Sequence, residues 1–222
     1  MSAARGLRRR LFAIATVLGV VAAARAVRAD EPADRGISLS VSAGGAYDGS
    51  VRAADTGRRV NDGAAFVGAT GVGNIERLAI GGAVDAMPGA PGNGRLSLSV
   101  LLGYQQSIGR TRFQLFGEAG RDRFSEPGAT LVGREPGPEV WLPFAGVRLG
   151  GARTVPAHGL VELGAALFAR YDLDHATVTH LSDLMDQPSG RYRVGGFRAG
   201  LTLQVGIRLE SPHPWNQGVL EP

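Results

Sequence analysis

Residues 197–209 read Phe-Arg-Ala-Gly-Leu-Thr-Leu-Gln-Val-Gly-Ile-Arg-Leu. Phe197, Ala199, Leu201, Leu203, Val205, Ile207 and Leu209 share one face of an extended chain; Arg198, Gly200, Thr202, Gln204, Gly206 and Arg208 share the other. A strand turns successive side chains to opposite faces, so a strict period of two over this length marks a strand with one apolar face and one small or polar face. Working outward, Ile37, Leu39, Val41 and Ala43 alternate with Ser38, Ser40, Ser42 and Gly44, and Leu96, Leu98 and Val100 alternate with Ser97 and Ser99. Segments of this kind, bounded by Gly, Pro, Asn and Asp, are expected at 37–47, 64–72, 76–86, 95–106, 111–122, 140–150, 159–171 and 192–209.

Connections between these segments alternate long, short, long, short, long, short, long, as expected when strands cross a membrane whose two sides impose different loop lengths. The fourth and fifth segments meet at Ser107-Ile108-Gly109-Arg110. A turn centred on Ile108-Gly109 sets Tyr104 opposite Phe113, Leu102 opposite Leu115, Gln105 opposite Arg112 and Ser99 opposite Glu118, so like meets like along the hairpin. Gly71-Val72-Gly73-Asn74-Ile75-Glu76 resembles half of a dinucleotide-binding fingerprint, but Leu78 and Ile80 continue on a two-residue period, so it reads as a hairpin turn.

The polar faces decide which solvent the apolar faces meet. They are mostly Ser, Gly, Thr, Gln and Ala with isolated charges, and Gly44, Gly103, Gly164, Gly200 and Gly206 all fall on them. That composition suits the narrow interior of eight strands and leaves the aliphatic faces for lipid. Closure also satisfies every backbone polar group without an edge, which hydrocarbon requires. The expected fold is an all-β, eight-stranded antiparallel up-and-down transmembrane barrel over residues 36–209. The alternative is a soluble periplasmic barrel with its aliphatic faces turned inward around an apolar ligand.

Residues 1–29 read as a signal peptide: Arg5, Arg8, Arg9 and Arg10 precede an apolar run from Leu11 to Ala24, and Val27-Arg28-Ala29 offers a cleavage point. Residues 30–35 form a short lead and 210–222 a C-terminal tail. The chain has 34 Gly, no Cys, and 24 basic residues that are all Arg. Lacking Lys and Cys, it excludes a phosphate-binding loop of the Walker type, Schiff-base chemistry, thiol nucleophiles and disulfides. Six of the Arg lie in residues 1–29, so the remainder carries 18 Arg against 20 acids, which argues against a nucleic-acid partner.

On signal, strand number, alternation and loop order, residues 36–209 resemble the small eight-stranded outer-membrane barrels of Gram-negative bacteria, such as the membrane domain of outer membrane protein A and the W and X types. The resemblance implies an exported, monomeric outer-membrane protein without enzymatic activity or cofactor. Its implied partners are outer-membrane lipid, lipopolysaccharide and the barrel-assembly machinery, and its implied role is envelope support or surface contact with at most a narrow pore. Two features depart from that family. The last strand ends at Leu209 before a tail rather than on a terminal aromatic, and Pro143, which lacks a ladder donor, predicts an irregular upper end for the sixth segment.

Glu118, Arg148, Glu162, Arg170 and Arg198 fall on inward faces and are candidates for ion pairs plugging the lumen, or for lining a small aqueous path. Arg148 and Glu162 flank the third short connection at comparable depth. Tyr47, Trp141, Tyr171 and Tyr192 beside the long connections, with Tyr104 and Phe113 at the short-turn side, are candidates for interfacial girdles. In the last connection, His180-Leu181-Ser182 looks like the His-x-Ser of outer-membrane lipid A deacylases, but it falls in an acidic loop with a short helix expected over Thr177 to Met185. No catalytic residue and no metal ligand is assigned.

Overall fold

A computed structural model describes residues 35–59, 63–87, 94–125, 139–155, 160–181 and 188–210. The expected signal peptide (1–29), most of the expected lead (30–35) and nearly all of the expected tail (210–222) lie outside the described residues. Eight strands close into an antiparallel barrel: β1 (Arg35–Asp48), β3 (Ala64–Ile75), β4 (Leu78–Met87), β5 (Gly94–Ile108), β6 (Thr111–Ser125), β7 (Val140–Thr154), β8 (Val161–Asp172) and β11 (Phe197–Glu210). Each pairs with its neighbours in chain order, and β1 closes on β11, with Val41 opposite Val205. Three further strands, β2 (Val51–Ala53), β9 (Ala176–Leu181) and β10 (Pro188–Val194), form a separate sheet in the order β2-β10-β9 at the long-connection end.

Large apolar side chains point outward from all eight barrel strands; Leu203 at the midpoint of β11 is 69% exposed. Charged side chains are buried within. A soluble calyx needs the reverse, so the alternative with an inward aliphatic face is overturned. So much contiguous apolar surface is compatible with an apolar solvent and not with water.

Several expectations need correction. Pairs in the β5–β6 hairpin sum to 219 rather than 217: Tyr104 faces Leu115, Gln105 faces Gln114 and Ser99 faces Gly120. The loop is Gly109-Arg110, because Gly109 takes the positive φ (+59) that a tight hairpin needs at its first central position. Moving the turn by one residue moves the pairing by two, which leaves every side chain on its original face, so alternation is blind to it. The expected partners survive as diagonals: Ser99 Oγ donates to Glu118 Oε1 at 2.6 Å and Arg112 Nη1 donates to Gln105 Oε1 at 3.2 Å.

The Gly71–Ile75 stretch is strand, and the first short turn is Glu76-Arg77. Glu76 adopts φ +58, the only positive φ among the described non-glycine residues. Side chains in that region cost about 1–2 kcal/mol. Glu76→Gly would make this turn like the one at Gly109; after the extra freedom of Gly in the unfolded chain, a net stabilisation of about 0.5 kcal/mol is expected, read as a higher urea midpoint. An unchanged or lower midpoint would contradict this account of the turn.

Pro143 does not disrupt β7. The ladder to β6 runs through Arg121 opposite Pro143 to Phe124 opposite Val140, while pairing to β8 stops at Phe144 opposite Asp172. The missing donor therefore faces the side where β8 has ended, and the Pro143 carbonyl still accepts from Leu173 N–H at 2.7 Å. The 192–209 segment is broken at Gly195-Gly196 (φ +111 and +157), which places Tyr192 on β10, outside the barrel wall. The expected helix from Thr177 is instead strand β9 as far as Leu181, paired with β10; Ser182 to Met185 lie outside the described residues. A two-residue alternation of Ala176, Thr177 and Val178 lets this segment lay its apolar residues on one side of a sheet.

Candidate functional site

The candidate site is the lumen. Among the described residues, twelve charged side chains are buried: Arg95, Arg112, Arg148, Arg170, Arg198 and Arg208 against Asp48, Asp85, Glu118, Asp122, Glu162 and Asp172. Six cations thus meet six anions. The inward positions of the strands stack them in three tiers.

The middle tier brings Arg148 and Arg170 onto Asp85 and Glu118. Arg170 donates from Nε to Glu118 Oε2 at 3.0 Å and from Nη2 to Glu118 Oε1 at 2.6 Å, and its Nη2 also bonds Asp85. Arg148 Nη2 lies 2.9 Å from Asp85 Oδ2 and 3.4 Å from Glu118 Oε1, and its Nη1 reaches Thr70 Oγ1 at 3.3 Å. The Arg170 guanidinium is surrounded by the rings of Phe168, Phe144 and Phe66 at 4.9, 5.0 and 5.8 Å. Those rings exclude water, which strengthens each pair and raises the cost of breaking it.

Nearer the long connections, Arg198 bridges Asp122 and Asp172, with Asp172 Oδ1 at 2.9 Å. Arg95 lies 3.3 Å from Asp48 Oδ2, donates to Ser50 Oγ at 2.5 Å and stacks over Phe124 at 4.2 Å. Asp172 also accepts from Gly196 N–H at 3.0 Å, tying this tier to the junction between β10 of the small sheet and β11. At the short-turn end, Arg112 pairs with Glu162 and donates to Ser38 Oγ at 2.8 Å, while Arg208 lies 4.0 Å from Glu162 and donates to Ser107 Oγ at 3.2 Å.

Of the five charges singled out from sequence, Glu118, Arg148 and Arg170 meet in one tier, Arg198 is one tier above and Glu162 one below. Arg148 and Glu162 do not pair: Arg148 is held by Asp85 and Glu118, and Glu162 by Arg112. Sequence reasoning does not include Asp48, Asp85, Arg95, Arg112, Asp122, Asp172 and Arg208 among its ion-pair candidates, although it places Arg112 and Arg208 on polar faces. Most occupy the same inward parity as the residues it chose, so parity alone would have found them.

Between the middle and lower tiers lies a cavity with about 20 Å³ of room for a water centre, lined by Arg112, Arg148, Ser38, Thr70, Gln114 and Gln204 among others. That volume holds about one water molecule. Glycine makes the remaining interior compact: a Cβ at Gly103 would fall 2.0 Å from the Leu115 carbonyl oxygen, and one at Gly120 2.1 Å from that of Leu98. Among the described residues no group of three metal-ligating side chains is positioned to hold an ion.

The outer wall carries Tyr47, Trp141 and Tyr171 towards the long-connection end and Tyr104 and Phe113 towards the short-turn end, on the same face as the aliphatic residues. Tyr192 instead packs against the cluster of Val51, Phe124, Leu142 and Val194 on the inner face of the small sheet. His180 lies on β9, and its suggested partner Ser182 is outside the described residues.

No protein-family model matches the chain, and no curated protein sequence matches it. Solved structures do. Neisserial surface protein A is 14% identical, covers 79% of this chain and 97% of its own, and superposes with a TM-score of 0.50. The attachment invasion locus protein of Yersinia pestis is 10% identical, with 81% and 100% coverage and a TM-score of 0.41. At such identities the likeness is one of fold. With its closed antiparallel barrel, outward apolar wall and buried charges, the chain has the fold of the small eight-stranded outer-membrane β-barrels.

Proposed function

We propose that this protein is a monomeric, non-enzymatic barrel of the outer membrane, acting in envelope support or surface contact rather than as a conduit. The observation that carries the reading is the lumen, where among the described residues six Arg and six carboxylates interlock, and where the cavity between the middle and lower tiers has room for about one water. Ions moving through it would have to displace buried, paired guanidinium groups, and breaking a buried pair costs several kcal/mol. The work of such a scaffold falls to its surface, because loops carry specificity on a rigid frame. Outer-membrane lipid and lipopolysaccharide are its immediate surroundings, and the barrel-assembly machinery is the route by which it reaches them.

Two measurements test this. Fractionation followed by electrophoresis of unboiled and boiled extracts should recover the protein with the outer membrane and show a heat-dependent mobility shift. Planar bilayers receiving the folded protein should show no stepwise conductance. Recovery as a soluble periplasmic protein would sink the location, and sustained conductance steps would sink the plugged lumen.

A further inference from the structure

The small sheet at the long-connection end has two different faces. Val51 and Val194 are buried against Phe124 and Leu142, with Tyr192, Ala176 and Val178 packed beside them. Its other face carries arginines. Arg193 on β10 is directly opposite Arg52 on β2, and Arg52 is in turn bridged to Arg59. Arg191, two residues before Arg193 on β10, lies on the same face, and all four are exposed.

Residues directly opposite one another across antiparallel strands share a face with Cβ atoms about 5 Å apart, where like charges repel. None of these four arginines forms an ion pair among the described residues; Asp55, the nearest acid along this stretch, accepts the Thr56 N–H at 2.7 Å. The row is not a by-product of a basic chain, since residues 30–222 carry more acids than Arg. The apolar inner face fixes the orientation of the sheet, so the arginines cannot turn inward to find carboxylates.

Where the row sits identifies its ligand. The Arg59 guanidinium lies 5.5 Å from the ring centre of Tyr47, which faces outward on β1 at the long-connection end. The row is therefore continuous with the lipid-facing wall rather than with the lumen. Aromatic rings at such a position sit at headgroup level, and the groups immediately beyond them are at the depth of lipid phosphates. A guanidinium meets a phosphate with two parallel N–H donors, which a planar fork provides and an ammonium does not. We infer that Arg52, Arg59, Arg191 and Arg193 form a binding site for the phosphate groups of lipid headgroups at the long-connection rim. This rests on the reading of the barrel as membrane-embedded and adds a specific partner to it.

The test uses the folded barrel in micelles of a neutral maltoside detergent, titrated with lipid A bearing two phosphate monoesters, with phosphatidylcholine, with inorganic pyrophosphate and with heparin. The wild type is expected to bind lipid A in a salt-sensitive manner and phosphatidylcholine weakly. The triple variant Arg52→Gln/Arg59→Gln/Arg193→Gln should lose affinity for lipid A on the order of 100-fold, each surface Arg acting on an anionic lipid surface with about the strength that gives a fivefold change. Arg153→Gln, an exposed arginine at the opposite end of β7, should leave it unchanged. An unaltered heat-dependent mobility shift shows that each variant is folded. Equal lipid A binding by the triple variant overturns the site. Pyrophosphate binding as tight as lipid A overturns the lipid source, and preference for heparin assigns the face to a sulfated polysaccharide instead. Because binding is read in micelles, failure of the outer-membrane location in fractionation would be seen separately from failure of this site.

Discussion

Arg170→Met is expected to destabilise the folded barrel by about 3–5 kcal/mol, the range for removing one partner of a buried ion pair. Met keeps most of the side-chain volume, so the loss reports charge rather than a cavity. Arg170 is enclosed by Phe66, Phe144 and Phe168 and bonded to both Asp85 and Glu118, leaving Arg148 alone to face two buried carboxylates once it is gone. The double variant Arg170→Met/Glu118→Gln restores the balance as one Arg148–Asp85 pair and should recover more than half of the loss. Urea unfolding in lipid vesicles, followed by the fraction of protein with folded mobility, measures both. A loss below about 1 kcal/mol would place this tier among solvated surface pairs and contradict a dry lumen. Equal losses for the single and double variants would mean that the pairing with Glu118 contributes nothing.

Leu203→Arg probes the other face. Leu203 stands at the middle of β11, opposite Ala43 and Ala165, with its side chain directed away from the barrel. If the wall meets hydrocarbon, an arginine at the bilayer midplane costs about 2–4 kcal/mol, and the same change at Leu209, near the strand end, costs about 0–1 kcal/mol. Were the wall in water, both changes would fall within about 0.5 kcal/mol. The gradient from Leu203 to Leu209, measured by the same unfolding assay in vesicles, is therefore the decisive quantity. A flat profile would remove the membrane from the description.

The sequence by itself determined the barrel wall. Alternation such as that of Phe197 to Leu209 is a local property of each strand, and inside-outside polarity follows because a lumen of eight strands admits only small, polar or paired side chains. Turn chemistry was legible only in part. Gly109 signalled a tight turn without saying which of two adjacent dipeptides would form it, and a two-residue register shift costs alternation nothing. For the same reason Ser99–Glu118 and Gln105–Arg112 were found as neighbours but placed directly opposite rather than diagonally.

What only the tertiary structure decided is which groups meet across the lumen and above it. Arg148 has Asp85 and Glu118 as partners, although Asp85 is 63 residues away in the chain, because strand tilt brings inward positions of non-adjacent strands to one depth. Glu162, closer in sequence, lies a tier lower beside Arg112. The sheet of β2, β10 and β9 was hidden because each piece is too short to show a period, and Gly195-Gly196 had to break the 192–209 run before Tyr192 and Val194 could pack on Phe124 and Leu142. Facing of a side chain is set by its own strand and can be read locally; its partner depends on closure of the whole barrel, which no single segment contains.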